Sequence, residues 1–211
     1  RGFGAEIRTS VRVERVGKGD DGTFETVVES GDVFRSPAVI VTAGGTPVKL
    51  EVPGEIEYAG KGVSYCAICD GAFFKEHTIA VVGGGDAACE EADFLTRYAT
   101  KVYLIHRRSE FRASKIVQQR VLANPKIEVL WDTVVEEISG AETLMTHARI
   151  RNTKSGVARD LAATGIFIFI GFTPNTGVIA GHVEHDASGY LVTDANMQTS
   201  IPGLFAAGDV R

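Results

Sequence analysis

The chain has 211 residues, 44% hydrophobic and 23% charged, the balance of an ordinary globular protein with room for one large domain or two small ones. Lys plus Arg is 22 against 27 Asp plus Glu, and the resulting net charge of −5 argues against nucleic acid as a main partner. No apolar run is long enough to span a bilayer, no signal-peptide pattern opens the chain, and three cysteines are too few for a disulfide-stapled secreted scaffold. The expectation is a cytoplasmic protein with one reactive thiol pair and no membrane partner.

The opening, Arg1-Gly2-Phe3-Gly4, lacks a Met, and the ending, Ala206-Ala207-Gly208-Asp209-Val210-Arg211, reads as a strand entering a turn. Both ends suggest a piece of a longer chain. Residues 5 to 41 read as β structure. Ile7, Thr9, Val11 and Val13 alternate with charged neighbours, turn clusters fall at residues 17–22 and 30–32, and Ala38-Val39-Ile40-Val41 reads as a buried strand. That strand stops in Thr42-Ala43-Gly44-Gly45, small residues that would let the backbone approach a ligand or would simply form a strand exit. Pro47 and Pro53-Gly54 read as a linker, placing a domain boundary near residues 46 to 54.

From Thr78 the pattern becomes βαβ. Ile79-Ala80-Val81-Val82 is a strand, residues 86 to 99 a helix, Val102 to Ile105 a second strand, residues 111 to 123 a second helix with Ile116, Val117, Val121 and Leu122 on one face, and Ile127 to Leu130 a third strand. Residues 133 to 161 give weaker alternating runs, a second meander. Ile166-Phe167-Ile168-Phe169-Ile170 is apolar throughout, as expected of a central strand buried on both faces. Leu204 to Ala207 is another apolar strand ending in small residues and Asp209, free to return to the sheet begun before residue 45.

Three groups could carry chemistry. Gly83-x-Gly85-x-x-Ala88 follows a strand and opens a helix, the context a dinucleotide fingerprint requires; a bare packing motif is the other reading. Glycines at 83 and 85 permit a tight turn, and the helix N-terminus favours a diphosphate. After the second strand, where an NAD site carries an acid, stands His106-Arg107-Arg108, with Arg112 one turn on. Guanidinium forks match a phosphate dianion, so Arg107, Arg108 and Arg112 point to the 2′-phosphate of NADPH; a solvated basic edge is the alternative. Cys66-Ala67-Ile68-Cys69 could be half of a zinc site, but no second C-x-x-C or H-x-x-H completes it, which favours a redox dithiol. Asp70 could pass a proton during thiol exchange or cap a turn. Cys89, inside a helix, reads as a core residue.

The motifs Cys66-Ala67-Ile68-Cys69-Asp70-Gly71, Gly83-Gly84-Gly85-Asp86-Ala87-Ala88, His106-Arg107-Arg108-Ser109-Glu110-Phe111-Arg112, Gly171-Phe172-Thr173-Pro174-Asn175-Thr176 and Ala206-Ala207-Gly208-Asp209-Val210, in this order, closely resemble low-molecular-weight thioredoxin reductase. The resemblance covers essentially the whole chain. It implies an α/β protein with two Rossmann-like nucleotide-binding domains of three-layer ββα type, the NADPH domain inserted in the FAD domain. Residues 1–46 and 175–211 would belong to the FAD domain, and residues 47–174 to the NADPH domain with its dithiol. It implies homodimerisation, and electron flow from NADPH through FAD to the Cys66–Cys69 disulfide and on to thioredoxin. Cys69 would lie nearest the flavin, Cys66 would attack thioredoxin, and Asp70 would be the acid/base. The NADPH side would comprise Gly83, Gly85, Asp86, Ala87, His106, Arg107, Arg108, Arg112 and Gly171; the FAD side would comprise Thr42, Ala43, Gly44, Gly208 and Asp209. One domain would rotate against the other about linkers near residues 46–54 and 171–177.

Two departures qualify this. No Gly-rich FAD fingerprint precedes residue 1 and no helix follows Asp209, so the polypeptide is expected to hold FAD weakly while keeping a nearly complete NADPH domain. Thr42-Ala43-Gly44-Gly45 also differs from the family's Ala-Thr-Gly-Ala. Two other readings compete: the flavoprotein subunit of an alkyl hydroperoxide reductase, and a non-catalytic module that senses NADPH or redox state.

Overall fold

Alternating apolar residues become antiparallel strands only where a partner lies alongside, and the computed structural model, which describes residues 4–141, 143–179 and 183–211, shows where that holds. Strands β1 (Val13–Lys18), β2 (Phe24–Val28) and β3 (Val33–Ser36) form a meander in the order β1-β2-β3. The strand expected from Ile7 starts only at Val13, because β2 offers pairing up to Val28 opposite Val13 and no further. Ile7 and Val11 are accordingly exposed, at 60% and 42%. β4 (Val39–Val41) leaves the meander and pairs in parallel with β15 (Leu204–Ala206), so the last apolar run does return to the first part of the chain. β4 was expected to be buried throughout, but this two-strand ladder is covered on one face only: Val41 packs with Phe24, Leu204 and Ala206, and Ile40 is 68% exposed.

The chain divides into two units, Arg1–Thr46 with Phe172–Arg211, and Pro47–Gly171. It leaves and re-enters the first unit through a two-stranded ladder of β5 (Gly45–Pro47) and β14 (Phe172–Pro174).

The second unit is built on a five-stranded parallel sheet in the order β6 (Val63–Ser64), β13 (Gly165–Phe169), β7 (Thr78–Gly83), β8 (Lys101–Ile105), β9 (Ile127–Leu130). Side chains alternate across such a sheet, and each face has its own cover. Ile79, Val81, Val102, Leu104 and Phe167 face helices α2 (Asp86–Leu95) and α3 (Lys115–Ala123). Ala80, Val82, Ile105, Ile166 and Ile168 face the antiparallel meander of β10 (Thr133–Ala141), β11 (Leu144–Asn152) and β12 (Ala158–Ala162). The result is the three-layer ββα architecture. Phe167 is fully buried, its ring edge-on to Phe74 with centroids 5.2 Å apart. Phe167→Ala is expected to lower the unfolding free energy by about 3–5 kcal/mol, read as a lower urea midpoint at unchanged slope.

Both helices are shorter than the periodicity predicts. α2 ends at Leu95 instead of residue 99, because Thr96, Arg97 and Tyr98 bond back three residues and tighten the last turn. α3 starts at Lys115 instead of residue 111, and its buried face is narrow: Val117 and Val121 are inside, while Ile116 and Leu122 are 69% and 59% exposed. Among the described residues no helix is long and apolar enough to cross a membrane.

Candidate functional site

The dithiol sits where β6 runs out. Cys66 has an extended backbone and caps a single helical turn, α1 (Ala67–Asp70), whose Cys69 N–H donates to the Cys66 Sγ at 3.2 Å. That turn brings the two Cα atoms to 5.3 Å, and the sulfurs are joined in a disulfide. Ala67 is buried against the unit's core, which fixes the turn, while Ile68 is 76% exposed. Among the described residues no cluster of three or more His, Cys, Asp or Glu is placed to hold a metal ion. Cys89, the remaining cysteine, is fully buried, and burial pushes its thiol up to about 11.

Asp70 closes the same turn. One of its carboxylate oxygens accepts the Ser64 hydroxyl at 2.6 Å, and the Ser64 oxygen accepts the Cys66 N–H at 3.1 Å. Ser64 was not singled out by motif or spacing, since a serine two residues before a cysteine has no distinguishing pattern. Behind Cys66, the Tyr65 hydroxyl donates to Glu55 at 2.7 Å; burial and that carboxylate hold the phenol well above its usual range. Glu55 is 1% exposed and also accepts the Leu50 and Glu51 amides, at 3.0 and 2.7 Å.

Gly83-Gly84-Gly85 joins β7 to α2. Gly83 has φ +153°, and a Cβ there would lie 2.4 Å from both the Ala88 Cβ and the Phe169 carbonyl oxygen, so strand, helix and neighbouring strand meet at a point that admits no side chain. Gly84, which the fingerprint leaves unspecified, is equally constrained: a Cβ would lie 2.1 Å from the His106 ring. Nothing lies within 4 Å of a Cβ built at Gly85. Gly85 caps α2 without a side-chain hydrogen bond, so among the described residues no side chain of the cap competes with an anion for the first amides of that ten-residue helix.

The arginine segment is held to this turn by backbone. The Arg112 N–H donates to the Gly84 carbonyl and the Ser114 N–H to the Asp86 carboxylate, both at 2.8 Å; the Ser114 amide in turn keeps the Asp86 carboxyl below its ordinary value. These ties hold residues 112–114 to the glycine turn, and α3 begins directly after them, at Lys115. His106 is 6% exposed, packs beside Phe111 and Trp131, and donates through Nε2 to the Glu110 carbonyl at 2.9 Å; burial lowers its pKa and favours the neutral ring. Arg107, Arg108 and Arg112 are exposed and make no ion pair among the described residues.

Strand register places these parts on one sheet edge. Ser64 stands level with Phe167 and Phe167 with Val81, while Phe169 stands opposite Gly83 and Ile105 opposite Val82. The residues that follow, Cys66, Gly85, His106 and Gly171, therefore all leave the carboxyl ends of parallel strands, where open α/β sheets bind ligands.

In the other unit, Ala206 pairs with Val41, so Thr42-Ala43-Gly44 and Gly208-Asp209 leave the ends of adjacent parallel strands. Gly44 and Gly208 have φ +64° and +78°. Asn175 secures the first of these segments, its side chain donating to the Ala43 carbonyl and its amide to that of Gly44, each at 2.9 Å.

The pyridine nucleotide-disulphide oxidoreductase family model matches residues 2–211. The thioredoxin reductase of Listeria monocytogenes is 43% identical over 209 residues, 99% of this chain and 65% of that protein. That of Streptomyces clavuligerus is 47% identical over 210 residues, 99% of this chain and 64% of that one. The crystal structure of Lactococcus lactis thioredoxin reductase superposes with a TM-score of 0.83 at 41% identity, over 95% of this chain and 66% of that one. The chain thus spans just under two thirds of the length of these relatives. Its sequence and its parallel-sheet architecture make it a member of the pyridine nucleotide-disulphide oxidoreductase family.

Proposed function

We propose that this chain is the dithiol-bearing part of an NADPH- and FAD-dependent thioredoxin-disulfide reductase. The observation that carries the reading is the Cys66–Cys69 disulfide, with Asp70 in the same turn, leaving the same sheet edge as the Gly83–Gly85 turn. The reductase names of the relatives support it.

Residues 47–171 then form the NADPH domain. The free amides at the start of α2 would meet the pyrophosphate, with Gly83, Gly85, Asp86 and Ala87 shaping the turn. Arg107, Arg108 and Arg112 would take the 2′-phosphate, His106 would brace the turn, and Gly171 would keep the neighbouring strand end open. Residues 1–46 and 172–211 contribute to the FAD domain, with Thr42, Ala43, Gly44, Gly208 and Asp209 toward the flavin; their small side chains leave the backbone approachable. FAD, when bound, would relay two electrons from the nicotinamide to the disulfide. Overall, NADPH and one proton reduce one thioredoxin disulfide to two thiols and leave NADP⁺. Cys69 is the sulfur turned to the electron source, Cys66 the thiolate that attacks thioredoxin, and Asp70 the group that holds the transferred proton. Ile68 and Phe73, 76% and 78% exposed, offer a protein partner apolar surface close in sequence to the disulfide. A dithiol used catalytically suits the cytoplasm, and homodimerisation is proposed on the resemblance to the reductase family.

The test is NADPH consumption by the full-length, FAD-loaded protein with oxidised thioredoxin. Turnover that needs both thioredoxin and the flavin is expected. A protein that binds both nucleotides yet leaves thioredoxin oxidised overturns the reading.

A further inference from the structure

We propose that Ser64 is a positioning residue for proton transfer at the dithiol, holding Asp70 through a hydroxyl that has an acceptor in either protonation state of the acid. The proposal rests on the reading of Asp70 as the proton carrier.

Asp70 is the last residue of a four-residue helical turn and is only partly buried. Its backbone is engaged, the N–H donating to the Cys66 carbonyl at 3.1 Å, but its carboxylate receives a single hydrogen bond among the described residues, from Ser64. Without that bond the carboxylate rotates freely against solvent. Ser64 is well suited to supply it. The residue is 4% exposed, and its backbone belongs to β6, whose Ser64 is in register with the fully buried Phe167 of the interior strand β13. The hydroxyl is therefore fixed relative to the sheet and not to the exposed surface of the turn. It also accepts the Cys66 N–H at 3.1 Å, so the sulfur-bearing residue and the acid are referred to the same atom.

The hydroxyl carries one hydrogen and has two acceptors within reach: the Asp70 oxygen at 2.6 Å and the Cys66 carbonyl at 3.3 Å. With Asp70 ionised, the shorter bond to the carboxylate forms. Once Asp70 is protonated, the hydrogen can turn to the Cys66 carbonyl, and the Ser64 oxygen can accept from the acid. A buried donor left unmatched in one of the two states would oppose proton transfer; here neither state has one. In the reductive step the S–S bond breaks, two electrons enter the sulfurs, one proton comes from Asp70 and one from the reductant or water, and Asp70 is reprotonated from solvent.

A flavin-independent reaction isolates this role. Dithiothreitol reduces Cys66–Cys69 by two successive exchanges, its two thiols becoming a cyclic disulfide and its two protons ending on the protein sulfurs. The rate is measured on the full-length protein without flavin, and thioredoxin turnover on the FAD-loaded protein, for wild type, S64A, S64T, D70N and S64A/D70N. S64A is expected to slow both reactions by about tenfold, a part of the ~10²–10⁴-fold available to general acid–base catalysis, through kcat and not through the KM for thioredoxin. S64T, which keeps the hydroxyl, restores most of the rate. In the D70N background, S64A changes the rate by less than about twofold, since its effect runs through the acid. NADPH affinity stays at the wild-type value and reports an intact sheet. A wild-type rate in S64A, or an undiminished effect of S64A in the D70N background, overturns the proposal. If S64A does not fold, S64T decides: a retained rate supports the proposal and a loss equal to that of D70N overturns it. Failure of the reductase reading itself looks different, because wild-type protein then leaves thioredoxin oxidised whatever stands at position 64.

Discussion

Exchange of either Cys66 or Cys69 for serine is expected to lower NADPH-driven thioredoxin reduction by on the order of 10³-fold or more, because in the proposed reaction each sulfur is a reactant and serine cannot form the disulfide. Among the described residues Cys89 offers no substitute, being fully buried in the α2 core with its thiol held in the protonated form. The two variants should separate in a second measurement. With Cys66 retained and Cys69 absent, a mixed disulfide with thioredoxin should accumulate, since on the proposed roles the attacking thiolate would be present and the thiol that resolves it missing. With Cys69 retained alone, that adduct should be scarce. Both variants should bind NADPH with unchanged affinity, because the Gly83–Gly85 turn belongs to a different strand end from the disulfide. Equal loss of NADPH binding in the serine variants would mean that the turn around Cys66 is structural, and a residual rate near wild type would remove the dithiol from the reaction.

Removing one guanidinium from the basic segment should weaken NADPH binding by about 10- to 100-fold, as a lost charge-assisted hydrogen bond of ~1.5–3 kcal/mol converts at 1.4 kcal/mol per decade. Arg107→Ala and Arg108→Ala are the variants of choice: both side chains are exposed and pair with no acid among the described residues, so their loss leaves no buried partner behind. The control is NADH. It lacks the 2′-phosphate, so its affinity should stay within about twofold of wild type in each variant. Titration of both nucleotides by intrinsic fluorescence or calorimetry measures this directly. Equal weakening of the two would assign the arginines to the pyrophosphate or to general electrostatics, and wild-type protein with equal affinity for both nucleotides would contradict the 2′-phosphate role.

The parts legible in the sequence were those in which local pattern and tertiary demand coincide. β7 and β13 are continuous apolar runs because both faces of the sheet are covered, and Gly83-x-Gly85-x-x-Ala88 is visible because backbone crowding admits nothing larger at Gly83. The Cys66–Cys69 pairing and the return of Leu204–Ala206 to the first unit were readable for similar reasons. The misses arise where distant residues set the outcome. Residues 111–114 carry a helical pattern, yet they lie outside α3 and are tethered through Arg112 and Ser114 to Gly84 and Asp86, each 28 positions earlier. Ile7 and Val11 alternate correctly but lie beyond the last position β2 can pair. Ser64 and Glu55 act through hydrogen bonds that leave no periodic trace, and Gly84 is forced by His106, just past the end of β8.

The bonds from Arg112 to Gly84 and from Ser114 to Asp86 have a thermodynamic corollary. A clasp whose main chain is already set does not have to fold around its guest. In the proposed nucleotide site the guanidinium side chains would lose freedom on binding while the tethered main chain would not, so binding should cost little backbone entropy. Asp86→Ala would cut one tether, leave all three arginines present, and should still loosen the grip.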